Sequence, residues 1–290
     1  MTVPFPHPRA PVPGVRLVVL AAQRKGLANP LAERFGVSHK CLIPLHGMPL
    51  IRHVMTTLTA HFAQGTIVVS VEPEAFDAVR GALAGLPGAN RIELCPAASN
   101  LADSVLVAAG AHDGPLVITT ADHALLQPAS ISAMLTALDT NDVAIAMARR
   151  DAVLTAHASG QRRFYEFRDH GYSNCNLYAL SGRKALGAVE IFRGGGQFAK
   201  NAQRIVQAFG LINLIALRLK LVTLADAMRR ISHRFGMTIV PVVLDDGSQA
   251  IDVDNDRTYA IVSDLLRQRA PELFIPVAAE TPKLRVVKSA

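Results

Sequence analysis

Short apolar runs alternate along this chain with segments in which apolar residues recur every three or four positions. The runs at 17–22, 66–71 and 114–122 are almost continuously apolar, as expected of strands that are covered on both faces. Segments with helical spacing, such as 50–62 and 98–112, lie between them. The alternation predicts an α/β protein with a mostly parallel, mixed-edge sheet flanked by helices.

The pattern is less regular after residue 128. Residues 151–172 are polar and rich in Arg, His and Asp, and they indicate no clear element. The stretch 250–260 is acidic and is interpreted as the end of a strand that leads into a helix. On a strand, Asp252 and Asp254 would share one face, because side chains two apart point the same way. Further strands are predicted at 91–96, 142–148, 176–182 and 237–244, and further helices at 74–85, 131–138 and within 200–235.

Three parts are expected along the chain. Residues 1–14 hold five prolines and are interpreted as a flexible lead-in that is not a signal peptide. Residues 15–269 form one domain with two halves, 15–150 and 151–269, and 270–290 form a loosely ordered tail.

Composition and net charge limit the classes of binding partner that we expect for this chain. The 290 residues carry a net charge of +7 and a pI near 9.7, which would suit nucleic acid, an anionic membrane or phosphorylated small molecules. Aromatic residues make up only 5% and the basic residues are scattered, so we expect no nucleic-acid partner. The three cysteines lack CxxC spacing, which indicates neither zinc nor disulfides and favours a reducing, cytoplasmic location.

Residues 205–222 are unusually apolar and include Arg218 and Lys220. The uninterrupted apolar part is too short to cross a bilayer, so a core helix or a homodimer contact is the first interpretation. A peripheral helix on an anionic membrane stays open as an alternative.

The loop that follows the first strand is basic. Arg24, Lys25 and Lys40 follow the strand at 17–22, at the place where an open α/β sheet tends to bind a charged ligand. The loop lacks GxGxxG, and the chain has no GxxxxGK[ST] and no GxSxG, which argues against dinucleotide-binding folds, P-loop NTPases and α/β serine hydrolases.

The phrases LAAQRKG at 20–26 and HKCLIPLHGMPLI at 39–51 resemble the opening motifs of the MobA-like NTP transferases, nucleotidyltransferases of the Rossmann-like GT-A fold. Lys40, Gly47 and Pro49 stand at the matching places. Gln23 stands where the family often has its first glycine.

Four later phrases extend the resemblance over roughly residues 15–265. ASNLADSV at 98–105 is similar to the segment that lies near the base and ribose, and CNLYALSG at 175–182 to the strand on the acceptor side. LVITTADHALL at 116–126 is similar to the strand that ends in a metal-binding Asp, and AIDVDNDRTYA at 250–260 to a later acidic phrase.

The resemblance implies transfer of an NMP unit from an NTP to a phosphorylated sugar, polyol or alcohol, with release of pyrophosphate. Cations and Mg²⁺, or Mn²⁺ in its place, would stabilise the charge on the phosphoryl oxygens, and the acceptor phosphate needs no general base because it is already anionic at neutral pH. The implied residues are Arg24, Lys25 and Lys40 on the phosphates, Ala21, Ala22, Gln23, Ser99, Leu101 and Ser104 on the nucleotide, Asp122, Asp252 and Asp254 on the metal, and Arg163, Asn174, Asn176 and Lys200 on the acceptor.

Other interpretations remain open. Asp122 could be a helix N-cap, the acidic 252–256 stretch could be a solvated turn, and Arg24 and Lys25 could be ordinary loop charges. His123 is expected to pack or hydrogen bond and not to ligate a metal. At the level of the whole protein, the alternatives are a glycosyltransferase of the same fold that uses an NDP-sugar, and a degenerate protein that binds nucleotide without turnover.

Overall fold

A computed structural model describes residues 14–23, 29–62, 64–192 and 219–269 of the chain. Outside these residues lie positions 1–13 of the predicted lead-in at 1–14, the predicted tail at 270–290 and most of the apolar stretch at 205–222. Arg24, Lys25 and Lys200 lie outside them as well.

Ten strands form in the described residues, most of them at the predicted apolar runs. Eight belong to one sheet, and the other two make a small antiparallel hairpin. The strands are β1 Arg16–Leu20, β2 Pro44–Leu45, β3 Met48–Pro49, β4 Ile67–Val71, β5 Ile92–Pro96, β6 Leu116–Thr120, β7 Val143–Arg149, β8 Tyr165–Glu166, β9 Gly171–Leu180 and β10 Ile239–Leu244.

Eight α-helices connect the strands or follow them in the described residues. They are α1 Pro30–Arg34, α2 Leu50–His61, α3 Phe76–Leu83, α4 Leu101–Ala109, α5 Pro128–Ala137, α6 Arg150–Ala156, α7 Leu224–Phe235 and α8 Asp256–Arg269. Short 3₁₀ helices add Lys40–Leu42, Pro73–Ala75, Ala89–Arg91, Arg183–Phe192 and Gly247–Ala250.

The main sheet has the order β10-β7-β9-β6-β1-β4-β5, with β8 paired to β9. All neighbours along this path are parallel except β9, which runs antiparallel to both β6 and β7. The mostly parallel sheet flanked by helices is confirmed, but the antiparallel strand lies inside the sheet and not at its edge. The chain leaves β1 toward β4 and β5 and then returns to β6, so the order reverses between β1 and β6.

Both faces of the sheet are covered, which is why its strands are continuously apolar. Val18 and Val19 are adjacent on β1, fully buried, and belong to hydrophobic clusters on opposite faces. Burial of each of these side chains contributes about 1.5–3 kcal/mol. One cluster includes side chains of α2, α3, α5 and α8, and the other includes side chains of α4 and α7.

Two local predictions were wrong. The polar stretch 151–172 contains most of α6, all of β8 and the start of β9, because a short helix and an edge strand need few apolar residues. Residues 251–254 form no strand: they follow the 3₁₀ helix Gly247–Ala250, and Val253 N–H donates to the Asp122 carbonyl at 3.2 Å outside any ladder. None of the helices in the described residues combines the length and the apolar character needed to cross a bilayer.

Candidate active site

The carboxyl ends of β1 and β6 meet at the point where the strand order reverses. A backbone bond joins the two exits, since Ala121 N–H donates to the Leu20 carbonyl at 3.0 Å. On the other side of β1, Ala21 N–H donates to the carbonyl of Ser70 on β4 at 2.9 Å. In open α/β sheets, this crevice is where ligands bind. Asp122 follows β6 here, next to residues 21–23, which form the stem of the basic loop that carries Arg24 and Lys25.

Lys40 joins two of the three predicted metal-binding carboxylates. Its ammonium group contacts Asp122 Oδ2 and lies 2.6 Å from Asp254 Oδ1. The Lys40 and Asp122 side chains are 20% and 15% exposed, whereas Asp254 is 64% exposed. Burial alone would lower the pKa of Lys40, but the two carboxylates raise it above its ordinary value, so the lysine stays charged.

Asp252 is the most deeply buried acid of the group, at 5% exposure. Its Oδ2 accepts a hydrogen bond from Asn176 Nδ2 at 2.5 Å. Burial, together with the charges of Asp122 and Asp254, raises the pKa of Asp252 well above its usual range. A residue that is only 5% exposed is not solvated, so the solvated-turn interpretation of Asp252 is wrong.

Two carboxylate oxygens, Asp122 Oδ1 and Asp252 Oδ1, are buried and have no hydrogen-bond partner. Buried oxygens of this kind fit a hard divalent cation, which binds carboxylate oxygen. In the part of the chain that the structure describes, no group of three or more His, Cys, Asp or Glu side chains is arranged to hold a metal by itself. Lys40 lies between Asp122 and Asp254, so the unpartnered oxygens favour Asp122 and Asp252 as ligands, and the set of Asp122, Asp252 and Asp254 stays a prediction. Mg²⁺ commonly takes one or two carboxylates and completes its shell with water and substrate phosphates.

The local sequence explains how Lys40 is positioned. Lys40 begins the 3₁₀ helix Lys40–Leu42, and the β2–β3 hairpin follows it. The two-residue turn of that hairpin is His46-Gly47, with φ of 50° and 77°, as a type I′ turn requires. The family-like Gly47 therefore shapes the turn that leads into α2.

Glu72, at the end of β4, is a residue that the sequence analysis missed. Its Oε1 accepts the Gln23 N–H at 2.9 Å, and its Oε2 lies 3.6 Å from His39 Nε2. Gln23 also donates from Nε2 to the Ser38 carbonyl at 3.0 Å. These contacts tie the stem of the basic loop to the segment before Lys40. An acidic residue directly after a strand that neighbours β1 was the available signal.

Gln23 keeps its backbone outside the positive-φ region, so the missing glycine causes no strain at this position. Ala21 is buried at the end of β1, and Ala22 beside it is exposed. The structure therefore places these three predicted nucleotide-binding residues together at the crevice.

The start of α4 holds three of the predicted nucleotide-binding residues. Its N-cap is Asn100, whose side chain accepts the Asp103 N–H at 3.0 Å. Ser104 is buried, and its hydroxyl accepts the Ala98 N–H at 3.0 Å. Leu101 is 36% exposed at the first turn of the helix. Ser104 therefore fixes the loop before α4, and direct contact of Ser99, Leu101 and Ser104 with nucleotide stays a prediction.

A bulge in β9 places the Asn176 side chain within hydrogen-bond distance of Asp252. The pairs Ile145–Tyr178 and Met147–Asn174 leave two extra residues in β9, and Asn176 adopts a φ of 48°. Asn174 Oδ1 accepts the Asn176 N–H at 2.9 Å, and Asn174 Nδ2 donates to the Tyr178 hydroxyl. Bulges and left-handed residues outside glycine are common beside functional sites.

Arg163, Asp122 and His123 complete the predictions for the described residues. Arg163 is exposed in the loop between α6 and β8, and its contact with the acceptor stays a prediction. Helix α5 has Gln127 as its N-cap, so the N-cap interpretation of Asp122 is wrong. His123 is fully buried and hydrogen bonds through Nδ1 to Thr119 Oγ1 at 3.2 Å, and burial lowers its pKa to about 4.

Gln249 anchors the segment that carries Asp252. It is fully buried, donates from Nε2 to the Leu125 carbonyl at 2.7 Å and accepts from the Ser130 hydroxyl at 2.9 Å. The Gln249 side chain therefore links the segment that follows β6 to the segment that precedes Asp252.

Replacing Gln249 by alanine is expected to lower the free energy of unfolding by about 3 kcal/mol, because buried polar partners lose their hydrogen bonds. Urea unfolding followed by circular dichroism measures this change. Gln64→Ala, at an exposed position, is the matched control and should change stability by under about 0.5 kcal/mol. Equal stabilities of the two variants would contradict the anchoring role.

Similarity to solved structures agrees with this architecture. A hypothetical transferase from Thermus thermophilus superposes with a TM-score of 0.68 at 21% identity, over 84% of this chain and 98% of the other. A 4-diphosphocytidyl-2C-methyl-D-erythritol synthase from Anaerococcus prevotii gives a TM-score of 0.55 at 11% identity, over 87% of this chain and 96% of the other. A nucleotidyl transferase from Methanothermobacter thermautotrophicus gives a TM-score of 0.53 at 18% identity, over 89% of this chain and 100% of the other. At these identities, the similarity shows the fold.

The family follows from the sequence. No curated protein matches this chain. Residues 17–193 match the MobA-like NTP transferase domain, which is more than half of the chain and includes β1, Lys40, Asp122 and Asn176. The chain belongs to the family of MobA-like NTP transferases, and it is a nucleotidyltransferase.

Proposed function

We propose that the protein transfers an NMP unit from an NTP to the phosphate of a phosphorylated sugar, polyol or alcohol, in a reaction that depends on Mg²⁺ or Mn²⁺. The observation that carries the proposal is the cluster at the β1–β6 crevice, where a partly buried lysine faces Asp122 and Asp254 and two buried carboxylate oxygens lack partners.

The residues have distinct roles in this proposal. Asp122 and Asp252 hold the divalent cation, which would neutralise charge on the triphosphate when bound. Lys40 turns from the carboxylates toward the phosphates and stabilises the negative charge that develops on them. Asn176 holds Asp252 in place, and Glu72 with Gln23 fixes the stem of the basic loop. Arg24, Lys25 and Lys200 are proposed as further phosphate-binding groups from the resemblance alone.

The reaction is balanced without a general base. An oxygen of the acceptor phosphate attacks the α-phosphorus, the bond from the α-phosphorus to the bridging oxygen breaks, and pyrophosphate leaves. The second pKa of a phosphate monoester is near 6, so the attacking oxygen is already anionic at neutral pH. Positioning and electrostatic stabilisation then supply the catalysis.

The test is a panel assay of the intact protein. Each of the four NTPs is incubated with Mg²⁺ and a set of sugar, polyol and aminoalcohol phosphates, and pyrophosphate is measured. Release that requires both an NTP and an acceptor phosphate is expected. NTP binding without pyrophosphate from any pair would favour a degenerate nucleotide-binding protein, and transfer of a sugar from an NDP-sugar would favour a glycosyltransferase.

A further inference from the structure

An apolar pocket of about 90 Å³ opens beside the acidic cluster, on the face of the sheet that α4 covers. Side chains from both halves of the domain line it: Leu20, Val105, Ile118 and Ile145 come from the first half, and Tyr178 and Val189 come from the second. An empty apolar cavity lowers stability in proportion to its volume, so a pocket of this kind is a candidate for binding apolar groups.

Two polar residues of the pocket lining lie next to the candidate metal site. These residues are Thr120 and Asn176. Thr120 ends β6 two residues before Asp122, and Asn176 donates its hydrogen bond to Asp252. The pocket therefore borders the candidate metal site.

The β9 bulge forms part of the same wall. The bulge brings Asn176 and Tyr178 into the pocket lining, and Asn174 links them by accepting the Asn176 N–H and donating to the Tyr178 hydroxyl. The left-handed backbone of Asn176 is strained for a residue other than glycine, and such strain is retained at ligand-binding sites. The β9 bulge therefore both lines the pocket and supports Asp252.

From this geometry we propose that the acceptor is a phosphate monoester whose alcohol carries a small apolar group, an alkyl or branched alkyl unit, and that this group occupies the pocket. The inference rests on the proposed function, because it identifies the class of acceptor for that reaction. In this proposal the acceptor phosphate lies at the acidic cluster, and the apolar group extends from it into the pocket, where it packs against Tyr178 and Val105. The apolar lining has no charged side chain and offers few polar partners to a bare sugar.

A homologous series of acceptors tests the inference. Methyl, ethyl, propyl and butyl phosphate are supplied to the intact protein with the preferred NTP and Mg²⁺, beside glycerol phosphate. Burial of a methylene group predicts a rise in kcat/KM of about fourfold for each carbon until the pocket is full. A flat series, or glycerol phosphate as the better acceptor, would overturn the apolar acceptor while leaving the transfer reaction in place.

Filling the pocket supplies the structural control. Val105→Phe is expected to remove the chain-length dependence, whereas Val107→Phe, on the same helix but 49% exposed and outside the lining, should preserve it. Ile145→Phe fills the pocket from the opposite side if the first variant fails to fold. A chain-length dependence that survives in a folded pocket-filling variant would place the apolar group elsewhere and overturn the proposal.

Binding separates this inference from the proposed function. Calorimetric titration of butyl phosphate and methyl phosphate into the wild-type protein with Mg²⁺ measures occupancy without turnover. Tighter butyl phosphate binding that is lost in Val105→Phe supports the pocket even if no pyrophosphate forms, and that result would contradict only the transfer reaction. Equal binding of the two phosphates, with no turnover dependence on chain length, would overturn the pocket.

Discussion

Replacing Asp122 by asparagine is expected to lower the rate of pyrophosphate formation by at least about 10³-fold, because the variant loses the negative charge that holds the divalent cation on the triphosphate. Asp122 is the only one of the three predicted ligands that both contacts Lys40 and has a buried oxygen without a partner among the described residues. The measurement is kcat at saturating NTP and acceptor over a range of Mg²⁺ concentrations.

The control for this variant is Asp113→Asn, at an exposed position in the loop that follows α4. That variant should keep wild-type kcat, and both proteins should keep the wild-type circular dichroism spectrum. A folded Asp122→Asn protein with more than a tenth of wild-type kcat would contradict the metal-binding role.

Replacing Lys40 by methionine is expected to lower kcat/KM for the NTP by about 10²-fold, because the partly buried ammonium no longer stabilises charge on the phosphates. Methionine keeps an unbranched chain but removes the charge. Steady-state kinetics with varied NTP measures the effect, and Lys184→Met, at an exposed position of the 3₁₀ helix Arg183–Phe192, is the matched control.

The same variant has a readout that needs no turnover. In the wild-type protein the single charge of the Lys40 ammonium offsets part of the negative charge of Asp122 and Asp254, so Mg²⁺ must compete with the lysine for these carboxylates. Without the lysine, the carboxylates are left uncompensated, and Mg²⁺ should raise the Tm of Lys40→Met more than it raises that of the wild type. Equal Mg²⁺-dependent shifts in the two proteins would indicate that the cation and the lysine do not share these carboxylates.

The fold could be predicted largely from apolar runs. Strands β1, β4 and β6 are buried on both faces, so their sequences are continuously apolar and their positions are visible without a structure. Helix α6 and strand β8 were missed because their burial is slight and their residues are mainly polar. The interior place of the antiparallel β9 depends on pairing between distant segments, which local patterns do not report.

The site was predicted in part. Lys40, Asp122 and Asp252 were identified through family-like phrases, and the structure brings them to one crevice. Glu72 was missed because its role comes from contacts with Gln23 and His39, which are distant in sequence. The ion pairs of Lys40 with Asp122 and Asp254 were also missed, since the resemblance assigned all three carboxylates to the metal. Charge balance in a buried cluster depends on geometry that spacing does not contain.

The most direct test of the central claim follows the α-phosphorus itself. The protein is incubated with Mg²⁺, an acceptor phosphate and NTPs that carry radioactive phosphorus at the α-position, and the products of the wild type and of Asp122→Asn are separated. The wild type is predicted to move the label onto the acceptor and to release unlabelled pyrophosphate, and the variant to leave the label on the NTP. Label that never reaches an acceptor, or equal transfer by the two proteins, would contradict nucleotidyl transfer at this site.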